Sequence, residues 1–115
     1  RMQDGKECIG TPVYFFFRLN TTRLTDTSQT LNLDELARVA KKYGLSVSVI
    51  GAADSMTGTV SVNNALSVSR AGYIAEELIK RGVLGDKIVQ THQGGISDYT
   101  PNEANRHTKV MLYFK

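Results

Sequence analysis

One cysteine in 115 residues, Cys8, excludes an internal disulfide and a zinc quartet built from cysteines. Its neighbours Gly5, Lys6 and Glu7 are too polar for a lipid-attachment signal, so Cys8 is expected to be a linker thiol. No stretch approaches the roughly 20 apolar residues that a membrane-spanning helix needs. The chain also opens without a charged and then apolar leader. Histidine is scarce: His92 and His107 are the only two, each in or beside a polar stretch and expected to be exposed. No H-x-x-x-H or paired-carboxylate pattern offers a metal site, so neither a metal nor a cofactor is expected. Clustered positive charge is missing as well. The net charge is +3 and the pI about 9.1, but basic residues adjoin only at Lys41-Lys42 and Lys80-Arg81, which argues against a nucleic-acid stripe.

What is present reads as one domain. With 41% hydrophobic and 22% charged residues, the chain can bury a single core without a staple. Residues 1–10 are polar and aperiodic, and read as a linker or tail before a domain over 11–115. A first strand is expected over Thr11 to Leu19, where Val13 to Phe17 form a continuous β-prone run suited to burial on both faces. A base-stacking role for these aromatics is disfavoured, because stacking platforms are interleaved with basic residues and here only Arg18 follows the run. Asn20 to Thr30 is a loop, and Asn32 with Glu35 makes a capping box for a helix ending near Tyr43 at Gly44. A second strand spans Leu45 to Ile50. The second helix starts at about Val62 or Asn63, with Asn63 and Asn64 as cap candidates, and runs to Arg81 before Gly82. Lys87 to Thr91 form a third strand, Gln93 to Asn105 a long loop, and Thr108 to Phe114 a fourth strand. The βαβαββ order predicts an α/β (α+β) two-layer sandwich, a mixed four-stranded sheet with helices on one face.

The chemistry centres on Gly51 to Ala71. Leu66, Ile74 and Leu78 form one helical stripe, and Arg70 lies in its middle, about 40° from Ile74 at about 100° per residue. A guanidinium on an apolar face must snorkel out or meet an anion. Asp54, at the mouth of the same strand-loop-helix unit, is the nearest carboxylate in sequence. The two could form an internal ion pair, or both could face a cleft and hold opposite ends of a zwitterion. A phosphate loop is disfavoured: the glycines Gly51 and Gly58 are not followed by G-K-[ST], and Asp54 would repel phosphate. Cys8 lies far from any preorganising element, so no catalytic residue is expected. The pattern is one of recognition without bond-breaking.

Gly51, Asp54, Gly58, Asn63, Leu66, Ser67, Arg70 and Ala71 together resemble the G-x-x-D...G...N-x-x-L-S-x-x-R-A signature of the OmpA-like peptidoglycan-binding domain. The resemblance extends from about Val13 to Phe114. It implies a periplasmic module that binds the diaminopimelate residue of the peptidoglycan stem peptide and tethers an outer-membrane or envelope protein to the wall. Any membrane link would lie in an upstream region of a longer protein. By position, Asp54 would take the amino end of diaminopimelate and Arg70 the carboxyl end, with Asn63, Gly58 and Leu66 in the binding loop and helix. Either Arg106 or Lys109 would stand for a terminal arginine of the family. Ala52 and Ala53 depart from the pattern, which often has His or Tyr followed by Thr. This departure motivates the alternative of a diverged structural or protein-interaction domain.

Overall fold

Two strands flank a central one in opposite sense, and this arrangement brings the ends of distant segments together. The computed structural model describes residues 2–3 and 6–114, with side chains from residue 8 onward. The elements are β1 (Met2–Gln3), β2 (Lys6–Phe16), α1 (Thr30–Tyr43), β3 (Ser46–Asp54), α2 (Val60–Lys80), β4 (Ile88–Ile96) and β5 (His107–Tyr113). The sheet order is β1-β2-β5-β3-β4, in which the two-residue β1 extends the β2 edge of a four-stranded mixed sheet. β5 runs antiparallel to both β2 and β3, so Thr108 lies opposite Phe15 on one side and Gly51 on the other. β3 and β4 are parallel, with α2 as the crossover.

Alternation along the strands decides which face is covered. Phe15, Val47, Val49, Val110 and Leu112 pack with Leu33, Leu36, Ala37 and Ala40 of α1 and with Ala71, Ile74 and Leu78 of α2. Each fully buried large side chain contributes about 1.5–3 kcal/mol. The residues between them, Met111 and Tyr113, turn to the other face with Cys8 and Ile50. The helices therefore occupy one face of the sheet, as the order of elements predicts. At Gly51 α2 lies directly against the sheet backbone: a Cβ there would run into the Ser67 carbonyl.

Several local expectations change. β2 begins at Lys6, so Cys8 and Ile9 pair with Tyr113 and Leu112, and Cys8 is a buried sheet residue instead of a linker thiol. The first five residues of the tail reading fall partly outside the described residues. Helix α1 starts before Asn32, which lies exposed within its first turn. Glu35 bonds Arg38 at 2.6 Å and forms no capping box. Gln29 flanks the helix start instead, with its amide bound to Phe16 N–H at 2.8 Å, so the helix is positioned by the strand it packs on. The α2 N-cap is Thr59, whose Oγ1 accepts from Val62 N–H at 3.1 Å. Asn63 is buried and serves another purpose. β4 continues through Gly94 and Gly95 to Ile96, because its backbone pairs with β3 as far as Asp54. Gly44 does end α1 in the left-handed conformation, with φ of 64°.

Candidate functional site

Asp54 is the last residue of β3, where the parallel strands end and α2 has not yet begun. It is 2% exposed. The following turn is legible in its chemistry: Oδ1 accepts from Met56 N–H two residues on, at 2.8 Å. Oδ2 is crowded, accepting from Thr57 Oγ1 at 3.2 Å, Asn102 Nδ2 at 2.7 Å, and Arg106 Nε and Nη2 at 3.2 and 3.1 Å. Burial by itself would raise the pKa of this carboxyl. The Met56 N–H, Asn102, Arg106 and Thr57 together outweigh burial and hold it below the ordinary value.

Arg70 sits on the sheet-facing side of α2 and is 1% exposed. It does not pair with Asp54. Its Nε donates to Thr21 O at 2.9 Å, Nη1 to Ala52 O at 3.0 Å and Nη2 to Arg18 O at 3.2 Å, so one side chain ties the loop after β2 to β3. The Phe17 ring lies 5.4 Å from the guanidinium carbon. Burial, then repulsion from Arg106, lowers its pKa to about 10, while attraction from Asp54 opposes them. At neutral pH the group remains a cation. The internal Asp54-Arg70 ion pair considered from the sequence is thus replaced by an Asp54-Arg106 pair, with Arg70 turned onto three backbone carbonyls.

The other residues singled out in the sequence distribute unevenly. Asn63 Nδ2 donates to Thr57 O at 3.0 Å, bracing the turn that presents Thr57 to Asp54. Gly58, between them, has a φ of 71°, which L side chains rarely adopt. Leu66 is half-buried one turn before Arg70 and Ser67 is buried, its Oγ accepting from Gly94 N–H at 3.1 Å. Between the two candidates near the last strand, Arg106 reaches Asp54, whereas Lys109 pairs within the sheet opposite Ile50 and Tyr14. Ala52 and Ala53, which stand where the family pattern often has His or Tyr followed by Thr, are fully buried. His107, expected to be exposed, is 2% exposed: its Nδ1 lies 2.6 Å from Ala104 O and its ring packs on Tyr14 and Tyr99.

Two contributors carried no local signal. Asn102 meets Asp54 across 48 residues of sequence, and the carbonyls of Arg18 and Thr21 reach Arg70 across about 50. The 99–105 loop is shaped for this by buried Asn105, whose amide bonds Tyr99 N–H, Tyr99 O and Asn102 O. An asparagine in a polar loop is too common a residue to have marked itself.

Residues 16–109 match the family described as the OmpA family. Outer membrane protein 40 of Porphyromonas gingivalis is 36% identical over 92 residues, which is 79% of this chain. The chain spans only 24% of that relative's length. Among solved structures, the peptidoglycan-associated lipoprotein from Burkholderia pseudomallei superposes with a TM-score of 0.74 at 22% identity, covering 86% of this chain and 88% of that one. The periplasmic domain of Helicobacter pylori MotB gives 0.71 at 16% identity, covering 96% and 83%. Those two likenesses show the fold, and the sequence match shows more: the chain belongs to the OmpA family.

Proposed function

We propose that this domain binds peptidoglycan non-covalently, gripping the diaminopimelate residue of the stem peptide, and so anchors a longer envelope protein to the wall from the periplasmic side. The observation that carries the proposal is an imbalance of buried charge. Arg70 and Arg106 face one carboxylate, Asp54. A cluster of two guanidiniums and one carboxylate is left one positive charge in excess, which a ligand carboxylate relieves. Arg70 uses three of its five N–H groups on carbonyls, leaving two for such a group. Among the described residues Asp54 Oδ1 accepts only from Met56, so an ammonium has an acceptor lone pair there.

Arg106 is the movable part: its side chain is 16% exposed against 1% for Asp54. In this reading an incoming ammonium displaces Arg106 from Asp54, and the released guanidinium joins Arg70 on the ligand carboxylate. A stem peptide with lysine in place of diaminopimelate keeps the ammonium and loses the carboxylate, at a cost of about 1–3 kcal/mol. Family membership supports the same ligand class. The role requires recognition alone and no bond-breaking.

Calorimetric titration with free diaminopimelate, and with stem peptides bearing diaminopimelate or lysine, tests this. Saturable binding of the first peptide, at least about tenfold weaker for the second and lost in folded Asp54→Asn, is the expected result. Equal binding of both peptides would overturn it. One observation favours a second reading, a structural or protein-interaction module: every charged group at the site already has a partner without any ligand. No binding by the unaltered domain would select that reading.

A further inference from the structure

The loop that holds Arg70 carries a second charged feature on its outer side. Phe17 and Leu24 form an isolated antiparallel bridge, and the next pair inward is joined by Arg18 N–H donating to Arg23 O at 2.9 Å. Two exposed arginines are therefore set opposite each other in the backbone across a tight turn, where like charges repel. Neither side chain has a hydrogen-bond or ion-pair partner among the described residues. Both line an open cleft of about 380 Å³ whose other polar walls are Thr22, Thr27, Thr30 and Tyr73.

No carboxylate lines that cleft. Asp26, the nearest acid in sequence, is turned onto Ser28 N–H at 2.9 Å. The hydroxyls of Thr22, Thr27 and Tyr73 have no partner among the described residues, and Thr30 Oγ1 donates to Thr27 O. Paired guanidiniums with hydroxyl donors and no competing acid suit a tetrahedral or planar oxyanion, which the guanidinium fork meets with two parallel hydrogen bonds. We propose that this cleft is a second binding site, taking a carboxylate or phosphate oxyanion between Arg18 and Arg23. It is distinct from the Asp54 cluster but joined to it through the backbone, since the carbonyls of Arg18 and Thr21 are the ones Arg70 holds.

The same chemistry has two sources: the carboxylate that ends a stem peptide, which rests on the peptidoglycan reading, or a phosphate on an envelope saccharide, which does not. The experiment follows the backbone amide signals of residues 18–23 by NMR while inorganic phosphate is added at constant ionic strength, in the unaltered domain and in an R18Q/R23Q variant. Constant ionic strength matters because exposed charges also respond to plain screening. Saturable shifts at residues 18, 22 and 23, at least about tenfold weaker in the variant, are expected, with free diaminopimelate binding by the single R23Q variant unchanged. Shifts that never saturate, or that persist in the variant, overturn the proposal. The single R23Q variant provides the same readout if the double one is poorly folded. Stem peptides with a free or an amidated terminus then separate the sources. A preference for the free acid that vanishes in R18Q/R23Q assigns the peptide, and saturable phosphate shifts without that preference assign the saccharide phosphate. Loss of free diaminopimelate binding in the unaltered domain would sink the Asp54-Arg70 reading and leave the phosphate shifts standing.

Discussion

Arg106, and not Arg70, holds the Asp54 carboxylate, with its Nη2 3.1 Å from Oδ2. The pair joins the end of β3 to the start of β5, two elements that neighbour each other in the sheet but are 52 residues apart in sequence. Because Asp54 is nearly inaccessible, this contact belongs to the stability of the ligand-free protein as well as to its site.

A pH dependence follows. The folded pKa of Asp54 lies below its ordinary 3.8, so between these values the unfolded chain binds the extra proton. The stabilisation is complete above the unfolded value and is lost as pH falls through the folded one. Urea unfolding across the acid range should show the gap between the unaltered protein and Asp54→Asn widening as pH rises. A gap independent of pH would mean that the carboxylate is not stabilised in the fold. Arg106→Gln should bring the Asp54 pKa up toward its ordinary value, read by carboxyl-carbon NMR.

Arg70→Lys keeps a cation and loses the fork. One ammonium cannot span the carbonyls of Thr21, Ala52 and Arg18; Arg18 O keeps the Thr21 N–H and hydroxyl as donors, so the loss falls on the Thr21 and Ala52 carbonyls, at about 1–3 kcal/mol for a buried one left without a donor. The variant should be less stable by at least about 2 kcal/mol in denaturant titration. A loss of a few tenths would show that the arginine serves as a charge alone.

Gly51→Ala tests the close approach of α2. The added methyl would meet the Ser67 carbonyl backbone, which cannot rotate away as a side chain would. Overpacking of this kind costs about 1–3 kcal/mol. Thermal melts should show a clear drop, whereas an unchanged midpoint would mean that the helix slides freely over the strand.

His107 gives a second pH signature. Burial lowers its pKa below 6.5, opposed by the Ala104 carbonyl, with Lys109 and Arg70 lowering it further. Between its folded pKa and 6.5 the unfolded chain takes up the proton first, so stability falls as pH drops through that window. His107→Phe should flatten that part of the stability profile. A profile of the same slope in both proteins would place the titration elsewhere.

The order of elements, the one-sided core and the two charges at the centre could all be read from residue patterns along the chain. Its signals for these are local: four-residue spacing for α2, alternation for β3, Gly44 for the end of α1. Helix starts were less legible, because Thr59 and Gln29 compete with nearby asparagines and the winner depends on packing against β2 and the Asp54 turn. Which cation meets Asp54 was settled by the packing of distant segments. Arg70, on its helical stripe, is committed to carbonyls of a loop about 50 residues away, and that leaves the carboxylate to Arg106 and Asn102. Such choices are set by strand order, which makes neighbours of segments that no spacing rule connects.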